Sequence, residues 1–525
     1  MDRRLEPHDS NQLELKLAYF MDPEKLSQSY QVEAYMFVPR TLGLTAESYP
    51  AERFFEDMAA FVRLKTPGVA LSALARDDQA TAWFEVVEEG LKRLLSGELG
   101  GGERVSRGMK VLGCIYRAAL RDEVLRVLNR LQAPLSGEPE TRAVDLESRW
   151  QVADAFLMDL QSAVGRLRKL GADCEQALVP DDVGEVWSHV DEYVAVVAED
   201  VCTKIVEVLD AVSQAEDTSL MELRERFASE AVSAYHHRRV RDYPSRVQPD
   251  EENEGFTHRR RILKRVVSSV LYLNMRKETP SRLGSDVIGM FAAAAAMLFA
   301  VMATIWAQRE WQFDSTPFVV AAVISYMIKD RIKEWFKVYF GKRLGKKRPG
   351  FVRKVRDVQG RVVGRCAENY DVLNPSDLEP ELMRLRHLDH PGDVAASGRP
   401  EAVLRYMKEV TLDYGKVSEV LSGVSGLNDI IRFNLGRLRR RMDAPYETYR
   451  LVNPTSKELT SVRCARVYHV NFILRILSGD KLEVERVRVV VDQRGIKRIE
   501  HLTTGSRVDA ITEPVADMVE LDDLE

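Results

Sequence analysis

Residues 287–307 read VIGMFAAAAAMLFAVMATIWA, twenty-one positions without one charge. As a helix rising about 1.5 Å per residue, this block is roughly 30 Å long, the thickness of a bilayer's hydrocarbon core. A shorter apolar block, residues 317–328, follows after a nine-residue connection. Twelve residues do not cross alone, so the second span is extended back to Trp311, which takes in Asp314. The pair predicts a two-helix transmembrane hairpin with spans of about 287–307 and 311–328. Small residues recur four apart in the first span, at Gly289 and Ala293 and at Ala292, Ala296 and Ala300. Such spacing lets membrane helices approach closely, so these five are the expected membrane-packing residues, facing either the second span or another subunit.

Charge follows the apolar blocks. The chain of 525 residues carries a net charge of −5, yet residues 256–360 hold 21 Lys+Arg against 7 Asp+Glu. Basic flanks stay on the cytoplasmic side, so the expected protein is multi-pass in the plasma (inner) membrane, with both termini cytoplasmic and a short outer loop. Trp306 and Trp311 suit the outer interface as belt aromatics. After the second span, Ile332, Trp335, Phe336, Tyr339 and Phe340 repeat on one helix face, and a basic cluster with Lys342, Arg343, Lys346, Lys347 and Arg348 follows. Aromatic and basic faces of this kind fit an inner headgroup layer, with anionic lipids as partners. The acidic remainder of the chain argues against nucleic acid as a partner.

The N-terminal part begins with apolar–polar alternation at residues 12–20 and 30–38, which predicts two strands. From Pro50 the pattern reads as helical, through AERFFEDMAAFVRLK and ATAWFEVVEEGLKRLL. The glycine-rich stretch 96–103 lacks the Lys-Ser/Thr of a phosphate-binding loop and reads as a connection. Two long helices then carry heptad-like seams, Leu146 to Leu167 and Val183 to Val212. These seams suit a helical bundle packed within the chain or a homo-oligomer. Residues 236–255 form a charged linker, and a basic juxtamembrane helix leads to the first span.

From Phe351 the chain turns strand-like. FVRKVRD and RVVGRC flank a tight turn, and AVLRYMKEVTLDY suggests a strand pair. Residues 426–442 read as a basic helix. Residues 462–477, 481–492 and 496–504 read as three strands of an antiparallel meander. The last residues, EPVADMVELDDLE, are acidic and read as a disordered tail. The expected class is an α+β integral membrane protein. It divides into an N-terminal strand pair (1–48), a helical bundle (49–241), a linker with the juxtamembrane helix (242–284), the hairpin (285–328), an interfacial segment (329–350), a β-rich domain (351–510) and the tail (511–525).

The sequence offers little chemistry. His387, Asp389 and His390 in HLDHPGD have residue types that ligate metals, but no further ligand accompanies them. The five cysteines are scattered, without a C-x-x-C pair, which argues against a zinc site or a disulfide framework. No nucleotide-binding glycine loop, H-E-x-x-H or kinase signature is present, and no cofactor is expected. The expected function is a membrane-anchored, cytosolic-facing scaffold or regulatory protein acting through self-association and partner binding. A pore-forming effector assembled through the first span and a membrane-tethered enzyme are the alternatives.

Overall fold

The computed structural model describes residues 2–76, 82–133, 139–176, 179–212, 218–248, 252–278, 283–312, 315–345, 350–388, 401–421, 423–455, 457–479 and 481–502. The chain opens with β1 (Asp2–Pro7), β2 (Gln12–Phe20) and β3 (Ser27–Pro39), then α1 (Ala51–Asp57) and β4 (Met58–Leu64). A run of helices follows: α2 (Leu71–Ala75), α3 (Ala82–Leu95), α4 (Gly101–Gln132), α5 (Pro139–Gln176), α6 (Asp181–Val212), α7 (Thr218–Val240) and α8 (Glu254–Ser268). Next come β5 (Tyr272–Glu278), α9 (Leu283–Glu310), α10 (Thr316–Gly345), β6 (Phe351–Arg356), β7 (Val362–Leu373) and α11 (Pro380–His387). The remainder is β8 (Glu401–Asp413), α12 (Tyr414–Val420), β9 (Gly426–Asn434), α13 (Gly436–Arg439), β10 (Tyr446–Val452), β11 (Leu459–Ala465), β12 (Tyr468–Ser478), β13 (Lys481–Asp492) and β14 (Gly495–His501).

Twelve of these strands form one antiparallel sheet, in the order β1-β2-β9-β4-β5-β6-β7-β8-β3-β12-β13-β14. The two edges curl together into a nearly closed barrel. Ile496 N donates to Ser10 O at 3.0 Å, and Arg3 of β1 pairs with Glu483 and Glu485 of β13 at 2.7 and 2.6 Å. Gly495 sits at φ 154°, where a Cβ would run into the Ser10 carbonyl, so this closure depends on glycine. Alternation sets the two faces: Leu13, Leu15 and Leu17 of β2, Val32 and Ala34 of β3 and Val487 and Val489 of β13 are buried inside. On the outer face, Tyr35, Phe37, Val403 and Ile473 form a second cluster under Leu382 of α11.

Both helical regions are insertions between neighbouring strands. Helices α2–α8 connect β4 to β5, which pair at Val62↔Leu273 and Arg63↔Tyr272. Helices α9 and α10 connect β5 to β6, which pair from Asn274↔Arg356 to Glu278↔Val352. The expected division into an N-terminal helical module with a small β-hairpin and a separate C-terminal meander is therefore wrong: β2 lies between β1 and β9, and β3 between β8 and β12. Within the bundle the heptad seams are buried, with Ala153, Leu157, Leu160, Val190, Val194 and Val201 all nearly inaccessible. Gly113 of α4 allows close approach to α6 and α8; a Cβ there would lie 2.8 Å from Val267 Cγ1 and 3.2 Å from Val190 Cγ1.

The two-span transmembrane hairpin, and with it the multi-pass assignment, is also corrected. One helix among the described residues is long and apolar enough to cross a membrane, Gly289–Glu310 within α9. Helix α10 fails on charge. Eighteen residues counted from its start at Thr316 take in Lys329, Asp330, Arg331 and Lys333, each costly in hydrocarbon. Three local readings change too. Residues 58–64, read as helix, are β4. Residues 426–434, read as basic helix, are β9, and only α13 is helical there. Residues 462–477, read as one strand, divide between β11 and β12, which belong to different sheets.

Candidate functional site

The barrel interior holds a belt of charge. Lys408 Nζ of β8 lies 2.5 Å from Asp429 Oδ1 of β9, both fully buried, and Tyr30 OH donates to Asp429 Oδ2 at 2.8 Å. On the adjoining strands Glu368 accepts from Tyr406 OH at 2.8 Å and lies 2.8 Å from Arg353 Nε. Each carboxylate thus has one cation and one phenol. The belt is balanced in charge, which suits a structural role, although Arg353 Nε and Glu368 Oε2 meet as an ion pair without hydrogen-bond geometry.

The seam between barrel and bundle is different. A cavity of about 310 Å³ opens there, lined by seven Lys and Arg side chains and one carboxylate, Asp122. The strand period brings the barrel's share together: Arg63 lies on the outer face of β4, Lys65 follows just past its end, and Arg4 stands opposite Lys16 across the β1–β2 register. The helical period brings the bundle's share: Cys114, Arg117 and Arg121 recur at i, i+3 and i+7 on one face of α4. Some charge is answered locally. Arg3 pairs with Glu483 and Glu485, Arg121 bonds Asp122 at 2.9 Å, and Lys65 Nζ sits 3.5 Å over the Phe20 ring. Arg63 Nε and Arg117 Nη2, however, are buried without a hydrogen-bond acceptor among the described groups. Burial pulls Arg117 below its ordinary value; Tyr193 opposes it, and the guanidinium groups of Arg63 and Arg121 add individually smaller lowering effects. The Cys114 thiol is pushed up to about 11 by burial, so it is no thiolate nucleophile at neutral pH.

A second feature lies on α9. Ala292, Ala296 and Ala307 are buried and Gly289 and Ala300 partly buried, while Ala293 is exposed. This stripe faces α10, where Phe318 and Ser325 are buried. The remaining surface of α9 is uncovered: Phe291 is 73%, Leu298 63% and Trp306 58% exposed. Trp306 and Trp311 meet edge to face at 5.5 Å. Trp335, Phe336 and Tyr339 are exposed on α10. Phe340, Lys342 and Arg343 fall within α10, and Lys346, Lys347 and Arg348 lie outside the described residues. His387 ends α11, while Asp389, His390 and the acidic tail lie outside the described residues. Among the described residues no group of three or more His, Cys, Asp or Glu side chains is placed to hold a metal ion.

The seam cations escaped sequence reasoning because they are scattered along the chain and meet only through sheet register and helix packing. One signal was present: in AFVRLK the apolar Val62 and Leu64 alternate with Arg63 and Lys65, a strand pattern beneath the helical one. Comparison with protein families, with curated proteins and with solved structures finds no match to this chain.

Proposed function

We propose that this protein is a membrane-associated scaffold or regulatory protein, held to lipid by α9 and presenting its barrel and bundle to partners at the inner face of the plasma membrane. The observation that carries the reading is the uncovered apolar surface of α9, whose Phe291, Leu298, Val301, Met302, Ile305 and Trp306 are all exposed. Contiguous apolar surface of this extent belongs against lipid or a partner. Adjacency of β5 and β6 limits the geometry. They flank the α9–α10 insertion and pair with each other, so the chain enters and leaves the lipid on one side. The basic residues concentrated on both flanks, eight in 256–284 and twelve in 329–360, favour an anionic, cytoplasmic leaflet.

Vesicle flotation tests the reading. The wild-type protein should float with phosphatidylcholine vesicles. Leu298→Arg places a charge on the uncovered face at a cost of about 3 kcal/mol in hydrocarbon, so binding should fall by roughly a hundredfold while thermal unfolding of the body is unchanged. A wild-type protein that stays at the bottom of the gradient, or a variant that floats equally well, would overturn the proposal.

A further inference from the structure

We infer that the seam cavity between barrel and bundle is a binding site for a compact polyanion carrying several phosphate groups. Its cations come from both sides: Arg4, Lys16, Arg63 and Lys65 from the barrel, Arg117 and Arg121 from α4. In a chain of net negative charge, the described residues that line this site include one carboxylate, Asp122, which Arg121 engages; Arg4, Lys16 and Lys65 have contacts of their own. The two guanidinium groups with buried, unpartnered nitrogens, Arg63 and Arg117, belong to opposite walls. Like charges held together under partial burial disfavour the empty site, and an anion placed among them relieves that repulsion while accepting charge-assisted hydrogen bonds. Arginine forks match phosphate oxygens in pairs. The dimensions restrict the ligand. About 310 Å³ lies at the small end of ligand pockets and admits a few phosphate groups with a small organic part, not a nucleic-acid duplex. Because its contacts come from both walls, the bound anion also fastens the bundle to the barrel. The same chemistry is offered by a soluble polyphosphate and by the headgroup of a polyphosphorylated lipid.

The site stands apart from the membrane role of α9, and the test separates the two. Inorganic tripolyphosphate is titrated calorimetrically into the full-length protein and into Arg63→Gln, Arg117→Gln and Arg126→Gln. Arg126 lies on the same helix but is paired with Glu123 at 3.0 Å and largely exposed. Tripolyphosphate should bind the wild type and raise its Tm. Arg63→Gln and Arg117→Gln should each weaken binding by roughly tenfold or more, and Arg126→Gln should not. Loss of one positive charge from a crowded set leaves the ligand-free Tm of Arg117→Gln equal to or above wild type, so weakened binding is not a folding failure. Flotation with vesicles that contain phosphatidylinositol bisphosphate, against phosphatidylcholine alone, identifies the source. A gain that Arg63→Gln and Arg117→Gln abolish marks a lipid headgroup, and no gain marks a soluble ligand. Leu298→Arg should keep full tripolyphosphate binding whatever its flotation. Absence of tripolyphosphate binding to the wild type, or equal binding to Arg63→Gln and Arg117→Gln, would overturn the inference.

Discussion

Replacing Lys408 with methionine should destabilise the barrel far more than its modest change in side-chain volume suggests. Lys408 and Asp429 are both fully buried, 2.5 Å apart, and the other carboxylate oxygen takes the Tyr30 hydroxyl at 2.8 Å. Methionine fills much of the space of the lysine stem but leaves the Asp429 carboxylate in the interior with a phenol and no cation. Breaking a buried pair in this way costs about 3–5 kcal/mol. Unfolding entropy near 2.1 cal/mol/K per residue implies about 1 kcal/mol per degree for a cooperative chain of this length, so Tm should fall by about 3–5 °C. In Lys408→Met/Asp429→Asn the asparagine still accepts from Tyr30 and no charge is stranded. The double variant should therefore recover to within about 1–2 kcal/mol of wild type. Burial opposes the Lys408 charge, but Asp429 and the neighbouring Cys366 and Glu368 outweigh it and hold the ammonium above its ordinary value. A group whose folded pKa is raised contributes fully below its unfolded value and loses that contribution as pH rises through the folded one. Urea unfolding at neutral pH, followed by tryptophan fluorescence, thus reads the whole effect. A Lys408→Met protein within about 1 kcal/mol of wild type, or a double variant as damaged as the sum of its parts, would refute the reasoning.

The bundle offers two further tests. Asp191 of α6, almost fully buried, accepts from Tyr243 OH at 2.9 Å and lies 2.8 Å from His237 Nε2. Burial alone would raise its carboxyl, but these contacts and Arg168 hold it below the ordinary value. Its contribution is therefore present above the unfolded carboxylate pKa and lost as pH falls through the folded one. Asp191→Asn should cost about 2 kcal/mol at neutral pH, with the gap to wild type closing in acid; a gap in urea midpoints that does not change with pH would contradict this. Gly171 of α5 lies against the Trp187 indole, and an added Cβ would run into that ring. Gly171→Ala should then destabilise by about 1–3 kcal/mol through overpacking, although alanine is the better helix former by about 1 kcal/mol. A raised Tm would show that the α5–α6 contact is looser than described.

Local pattern was legible in the sequence where one face of an element meets solvent. Alternation at residues 12–20 coincides with β2, and the turn between residues 356 and 362 joins β6 to β7. Most seam positions on α5 and α6 are buried as heptads imply, with Leu146, Trp150, Val208 and Val212 only partly so. What the sequence hid was partnership. β3 pairs with β8 and β12, whose partner residues lie hundreds of positions away, and no local period encodes that choice. Residues 58–64 and 426–434 were misread for related reasons. Each follows or precedes a short helix, and each interrupts its apolar residues with charge, Arg63 in the first and Asp429 and Arg432 in the second. In the sheet Asp429 instead points inward to Lys408, and Arg63 outward to the seam. The long apolar block was legible as a helix, but its single-sheet surroundings were not, and these are what forbid two independent soluble modules. The candidate site was the least legible, because its cations are assembled from β1, β2, β4 and α4.

The central claim is that α9 meets lipid while everything built before and after it stays on one side. Thiol labelling of the vesicle-bound protein tests this most directly. Cys464 of β11 is exposed and follows α9 in the chain; the other four cysteines are buried. Leu99, fully exposed between α3 and α4, precedes α9 and accepts a second probe as Leu99→Cys. With protein bound to sealed vesicles from outside, a membrane-impermeant maleimide should label both positions equally, before and after detergent is added. One position labelled and the other protected until detergent opens the vesicle would place the two halves on opposite sides, and would contradict the shared sheet and the one-sided placement that follows from it.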